Sequence, residues 1–132
     1  GLHIRKTDHP YPLEEDKFIE QINSDDAKCF VCSDDPETEQ KFLTACPNVR
    51  VYKKEHKVEM LIPNGNWGFP IVDSTGHSFP YNVKRGAESV LEAMIDLLIL
   101  SKSNIINTDH RSTFIRTAIL LSKDNLRKRY SH

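Results

Sequence analysis

The chain opens Gly1-Leu2-His3-Ile4-Arg5-Lys6-Thr7-Asp8, with an imidazole and a guanidinium two residues apart. On a strand the side chains alternate between faces, so His3 and Arg5 point the same way. A guanidinium suits a diphosphate because it presents several donors in one plane. The same residues fit a plain ion pair at a sheet edge, Arg5 with Asp8. Ser112 and Thr113 open a later helix, where free backbone N–H groups bind phosphate readily. Ser112 equally fits the role of a simple cap. Asp96 lies on an otherwise apolar helix. Buried, its carboxylate requires a donor partner, and a guanine base offers two adjacent N–H groups. Exposed, it forms one stripe with Glu92. Asp34-Asp35 fits a helix cap better than a metal site, since no histidine or third acid stands nearby at ligand spacing.

These residues have to be positioned by the surrounding elements. Leu2 to Arg5 reads as a short strand, broken off by Pro10 and Pro12. Glu14-Glu15-Asp16 followed by Phe18, Ile19 and Ile22 predicts a helix from about Leu13 to Ser24, with acids in its first turn. Ala27 to Ser33 reads as a second strand. Asp34-Asp35-Pro36 is a helix-start signal, and that helix runs to about Ala45 with Phe42 and Leu43 as its core residues. Val49 to Tyr52 is a third strand and Val58 to Ile62 a candidate fourth. Pro63 to Asn82 is dense in turn residues without a period, which predicts a long loop. Carrying the chain's one Trp, it fits a binding loop or a surface insertion. Lys84 to Ser101 is the most apolar helix: its apolar side chains cover nearly the whole circumference, leaving a narrow polar stripe that holds Ser89, Glu92 and Asp96, and it should be mostly buried. Ser103 to Thr108 reads as a strand. Ser112 to Lys123 reads as the last helix, with Phe114, Ala118 and Leu121 on one face.

Alternation of strand and helix argues an α/β layer architecture with a mainly parallel sheet. In such a sheet the functional crevice lies at the carboxyl ends of the strands. The polar segments Arg5 to Asp8, Ser33 to Asp35 and Thr108 to Thr113 should gather there.

With 132 residues the chain has the size of one domain, spanning about 1–125, followed by a basic tail at 126–132. A net charge of −1 and no basic cluster outside Arg127-Lys128-Arg129 argue against a nucleic-acid partner. No stretch is long and apolar enough for a transmembrane helix. The three cysteines are too few and odd in number for a disulfide framework. Cys29 and Cys32 have CxxC spacing, but on a strand they face opposite sides, as core thiols do. Reduced thiols point to the cytoplasm. Neither GxGxxG, GxxxxGK[ST] nor GxSxG occurs, which argues against dehydrogenase, P-loop and serine-hydrolase chemistry.

Three segments stand in a fixed order: Gly1 to Asp8, then Phe30-Val31-Cys32-Ser33-Asp34-Asp35-Pro36, then Glu88 to Ser101 running on to Arg111-Ser112-Thr113-Phe114. Together they resemble the donor-binding half of the α-1,6-fucosyltransferases, which include the rhizobial nodulation enzymes and are related to protein O-fucosyltransferases. The resemblance covers nearly the whole chain.

It implies a Rossmann-like three-layer domain, equivalent to the nucleotide-binding half of a GT-B glycosyltransferase. It implies GDP-fucose as the donor, a glycan or oligosaccharide as the acceptor, and inverting transfer without a metal or other cofactor. By the same resemblance His3, Arg5 and Lys6 hold the diphosphate, and Arg5 stabilises charge on the departing GDP. Asp96 contacts guanine, Ser112 with Thr113 contacts phosphate, and Asp34 and Asp35 lie near the nucleotide. Lys6 stands where the family has a second Arg, keeping the charge but losing the fork. The chain begins within two residues of a strand, which predicts a fragment. Half of a two-domain enzyme is expected to bind nucleotide without turning it over. A non-catalytic nucleotide-sugar-binding module is the alternative.

Overall fold

The computed structural model describes residues 1–6, 14–55, 59–62, 71–72, 74–79, 83–84, 86–105 and 112–122. Strand β1 (Leu2–Ile4), helix α1 (Glu15–Asp25), strand β2 (Cys29–Ser33), helix α2 (Pro36–Ala45) and strand β3 (Val49–Arg50) follow one another. The strands form a three-stranded sheet in the order β1-β2-β3, with both pairings parallel. His3 lies opposite Cys32, and Cys29 opposite Val49.

Side-chain alternation along β1 and β2 builds a core on each face of the sheet. Leu2, Ile4, Cys29 and Val31 pack with Ile22 of α1 and Phe42 of α2. Cys32, with Phe30 at its margin, packs on the opposite core with Leu100, Ile115, Ala118 and Ile119. Those residues come from helix α3 (Ala87–Ser101) and helix α4 (Thr113–Leu121). The result is an α/β three-layer arrangement, consistent with a Rossmann-like fold. Cys29 and Cys32 accordingly serve different cores, and all three thiols are buried and free. No described helix is long and apolar enough to cross a membrane.

Local chemistry sets the helix ends. Asp35 caps α2, accepting the Thr38 N–H at 3.0 Å, with Pro36 in the first turn. Helix α1 ends at Asp26, whose φ of 46° is the left-handed turn that closes many helices. Ser89 Oγ accepts the Gly86 N–H at the start of α3. The chain leaving α3 returns to the start of β1, where Gly1 N donates to Asn104 O at 2.5 Å.

Several expectations require correction. The segment at 63–83 is not structureless throughout: Ile71–Val72 (β4) and Ser78–Phe79 (β5) form an antiparallel ribbon, with Gly76 at φ 86° between them. Strands of two residues are too short to show an alternating pattern. Residues 59–62 contain an isolated bridge, Glu59 to Lys84, and no strand. Residues 103–105 are not a strand either; the rest of that expected strand and the basic tail lie outside the described residues. On α4 the buried face is Ile115, Ala118 and Ile119, whereas Leu121 is exposed. The stripe is centred one residue beyond Phe114, which sits at its margin.

The largest correction concerns α3, which was expected to be mostly buried. Its polar stripe faces inward: Glu92 and Asp96 are buried, while Val90, Leu91, Met94 and Leu98 are exposed. A helical plot locates a stripe but not the side facing the protein. Here buried polar partners from the chain after β3 decide the orientation.

Candidate functional site

The carboxyl ends of β1 and β2 and the chain beyond β3 bring polar groups together in two neighbouring sets. The first surrounds the end of β1. His3 is buried on the α4 side of the sheet, and its ring stacks on Phe114 with centroids 4.4 Å apart. That contact fixes the first strand against the opening turn of α4. Arg5 is half-buried just beyond. The Lys6 backbone N–H donates to Asp34 Oδ1 at 2.8 Å, tying the end of β1 to the end of β2. The Lys6 ammonium turns to Glu15, which Lys41 also contacts. Burial works against the Glu15 carboxylate, but the two lysines hold its pKa below the usual value. Glu15 Oε1 lies against the Lys6 ammonium without hydrogen-bond alignment.

At the start of α4, Ser112 Oγ accepts the Ile115 N–H at 3.3 Å, and the Ser112 carbonyl accepts the Arg116 N–H. Ser112 is therefore the cap. Thr113, the first helical residue, is exposed. Asp35 is also committed as a cap, and its Oδ2 additionally accepts the Thr38 hydroxyl at 2.6 Å. No group of three His, Cys, Asp or Glu side chains fit to hold a metal occurs among the described residues.

The second set is a buried ionic cluster. The Ser33 N–H donates to Glu39 Oε1 at 2.9 Å. Lys54 bonds both Glu39 and, at 2.8 Å, Asp96 Oδ2. Glu92 Oε1 accepts the Glu55 backbone N–H at 2.8 Å. Asp96 is only 4% exposed, and its Oδ1 has no hydrogen-bond partner among the described residues. Burial, reinforced by Glu39 and Glu92, pushes the Asp96 pKa up to about 6 despite the bond to Lys54. Burial also opposes charge on Lys54, but its bonds to Asp96 and Glu39 raise its pKa above the usual value. The two sets meet at Cys32, the register partner of His3, whose thiol pKa is pushed well up by burial and then by the Asp96 charge.

Of the residues singled out by sequence, His3 approaches the α4 start that holds Ser112 and Thr113, and Lys6 meets Asp34. Asp96 belongs to the second set, and Asp35 is taken up in capping. Thr7, Asp8 and the segment 108–111 lie outside the described residues. Sequence reasoning missed Glu39, Lys54 and Glu92 as site residues. A signal for Glu39 exists, since it stands three residues before the core Phe42 on the inward face of α2. Lys54, in an irregular stretch beside Lys53, carries no periodic signal. No family model matches this chain, no curated protein matches it, and no solved structure matches it.

Proposed function

We propose that this chain is the donor-binding half of a fucosyltransferase-like glycosyltransferase, equivalent to the nucleotide-binding half of a GT-B enzyme, with GDP-fucose as its ligand. The observation that carries this reading is the Asp96 carboxylate, buried at the carboxyl side of the sheet with Oδ1 unpartnered. A desolvated carboxylate oxygen calls for an N–H donor, and a guanine base supplies two. The side chains around Asp96 must shift to admit the base. The stacking of His3 on Phe114 brings the end of β1 to the start of α4, and the first-turn N–H groups that the Ser112 cap does not satisfy favour a diphosphate between Arg5 and that helix start. In the transfer reaction an acceptor glycan hydroxyl attacks the anomeric carbon with inversion as GDP departs. Arg5 then offsets the charge growing on the diphosphate. Three free, buried thiols fit residence in a reducing compartment such as the cytoplasm.

Lys6 favours a second reading, a nucleotide-sugar-binding module without catalysis. Its ammonium is committed to Glu15, so it does not replace the second arginine of the related enzymes.

Calorimetric titration with GDP and GDP-fucose tests both. Binding of both is expected, weakened about tenfold or more by Arg5→Ala and by Asp96→Asn. No heat with either ligand overturns both readings. Fucose transfer to a chitin oligosaccharide by this chain alone would overturn the second and show that no further domain is required.

A further inference from the structure

Helix α3 is inside out. Its buried face carries Glu92, Asp96, Leu100 and Ser101, while Val90, Leu91, Met94 and Leu98 stand in water at 43, 59, 52 and 51% exposure. Scattered exposed leucines are ordinary, but an apolar stripe along a whole helix is the mark of a contact surface. Ala87, Leu91, Met94, Leu98 and Lys102 follow at spacings of four, three, four and four, which is one face of one helix.

The charges at the two ends of the stripe identify its occupant. Glu88 lies in the first turn and Lys102 is the C-terminal cap residue. Both are exposed, and neither makes an ion pair among the described residues. Between them the exposed face is apolar. A second copy of α3 laid antiparallel about a two-fold axis between Met94 and Ile95 sets Leu91 against Leu98 of that copy. It also brings Glu88 within one residue of Lys102 of that copy, an offset of about 1.5 Å along the helix axis that the long lysine side chain spans, and symmetry repeats each contact. The two helix dipoles then oppose each other favourably. A two-fold axis needs a self-complementary patch, and this stripe is one. We propose that the chain forms a homodimer through an antiparallel pairing of α3 with α3. Nothing in the pairing depends on the nucleotide reading.

Sedimentation velocity over about 1 to 300 µM tests the pairing. The chain should pass to a species of twice its 15.2 kDa mass. Leu98→Asp, at an exposed site where circular dichroism should remain unchanged, should weaken the dimer on the order of a hundredfold, because the change enters twice. Glu88→Lys alone and Lys102→Glu alone should each weaken it, and the two together should restore it. The double exchange is the sharpest arm. Each change opposes the dipole of its own helix, so intrinsic helix effects would make the double variant the worst of the three. Recovery therefore reports pairing between copies. A monomer at every concentration, a higher oligomer, indifference to Leu98→Asp, or failure of the double exchange to recover would each overturn the proposal.

Discussion

Lys54 Nζ lies 2.8 Å from Asp96 Oδ2, joining the chain beyond β3 to the inward face of α3 across 42 positions of sequence. Among the described residues Lys54 is the cation within a group of carboxylates that includes Glu39 and Asp96, with Glu92 close enough to raise the Asp96 pKa. The stability of the domain should therefore depend on pH in a way that can be traced to single residues.

Asp96 titrates near 3.8 in an unfolded chain and at about 6 in the folded one. Between those values the folded state binds the extra proton, so this group makes stability fall as pH rises from about 4 to 6. After allowance for solvent screening, the loss is on the order of 1–2 kcal/mol. Asp96→Asn should remove that slope. Urea unfolding at a series of pH values, compared with the parent chain, checks it; parallel curves would count against it.

Lys54→Met should be the most damaging change in the cluster. It leaves buried carboxylates without their cation, a loss of about 3–5 kcal/mol near neutral pH. Without Lys54 the acids take up protons more readily, so the deficit should shrink as pH falls towards 5. Chemical denaturation at pH 5 and pH 7.5 distinguishes this from simple loss of packing, which would give one deficit at both.

Asp35→Ala removes the cap of α2 and the acceptor of the Thr38 hydroxyl. A cost of about 1–2 kcal/mol is expected. Ser112→Ala, losing one longer bond of 3.3 Å, should cost about 0.5–1 kcal/mol. Thermal melts of the two variants should rank them in that order.

Cys32 should be the least reactive of the three thiols. It is 1% exposed, and burial and Asp96 together disfavour its thiolate. Alkylation followed by mass spectrometry should find Cys32 modified last, with the differences vanishing in denaturant. Early modification at Cys32 would mean that the α3–α4 side opens readily.

Much of this architecture is legible in the residues themselves. The parallel order of β1 and β2, the helix start at Asp35-Pro36 and the separation of Cys29 from Cys32 follow from local chemistry and a period of two. The orientation of α3 does not. It is set by Lys54 and by the Glu55 N–H, more than thirty residues upstream, and no pattern within the helix records them. At the end of β1, His3 is buried on the face that packs against Phe114, and Arg5 lies one residue beyond the strand. That Lys6 would spend its charge on Glu15 depends on where α1 sits, which the first strand does not encode.

Strand β2, in the middle of the sheet, supplies both cores, giving Cys29 and Val31 to one and Cys32, with Phe30 at its margin, to the other. It acts as a party wall. Replacing a side chain on it troubles one neighbour, but inserting or deleting one residue exchanges the tenants on both sides at once. Variation in this strand should therefore be free in side-chain identity, within limits of size, and closed in length.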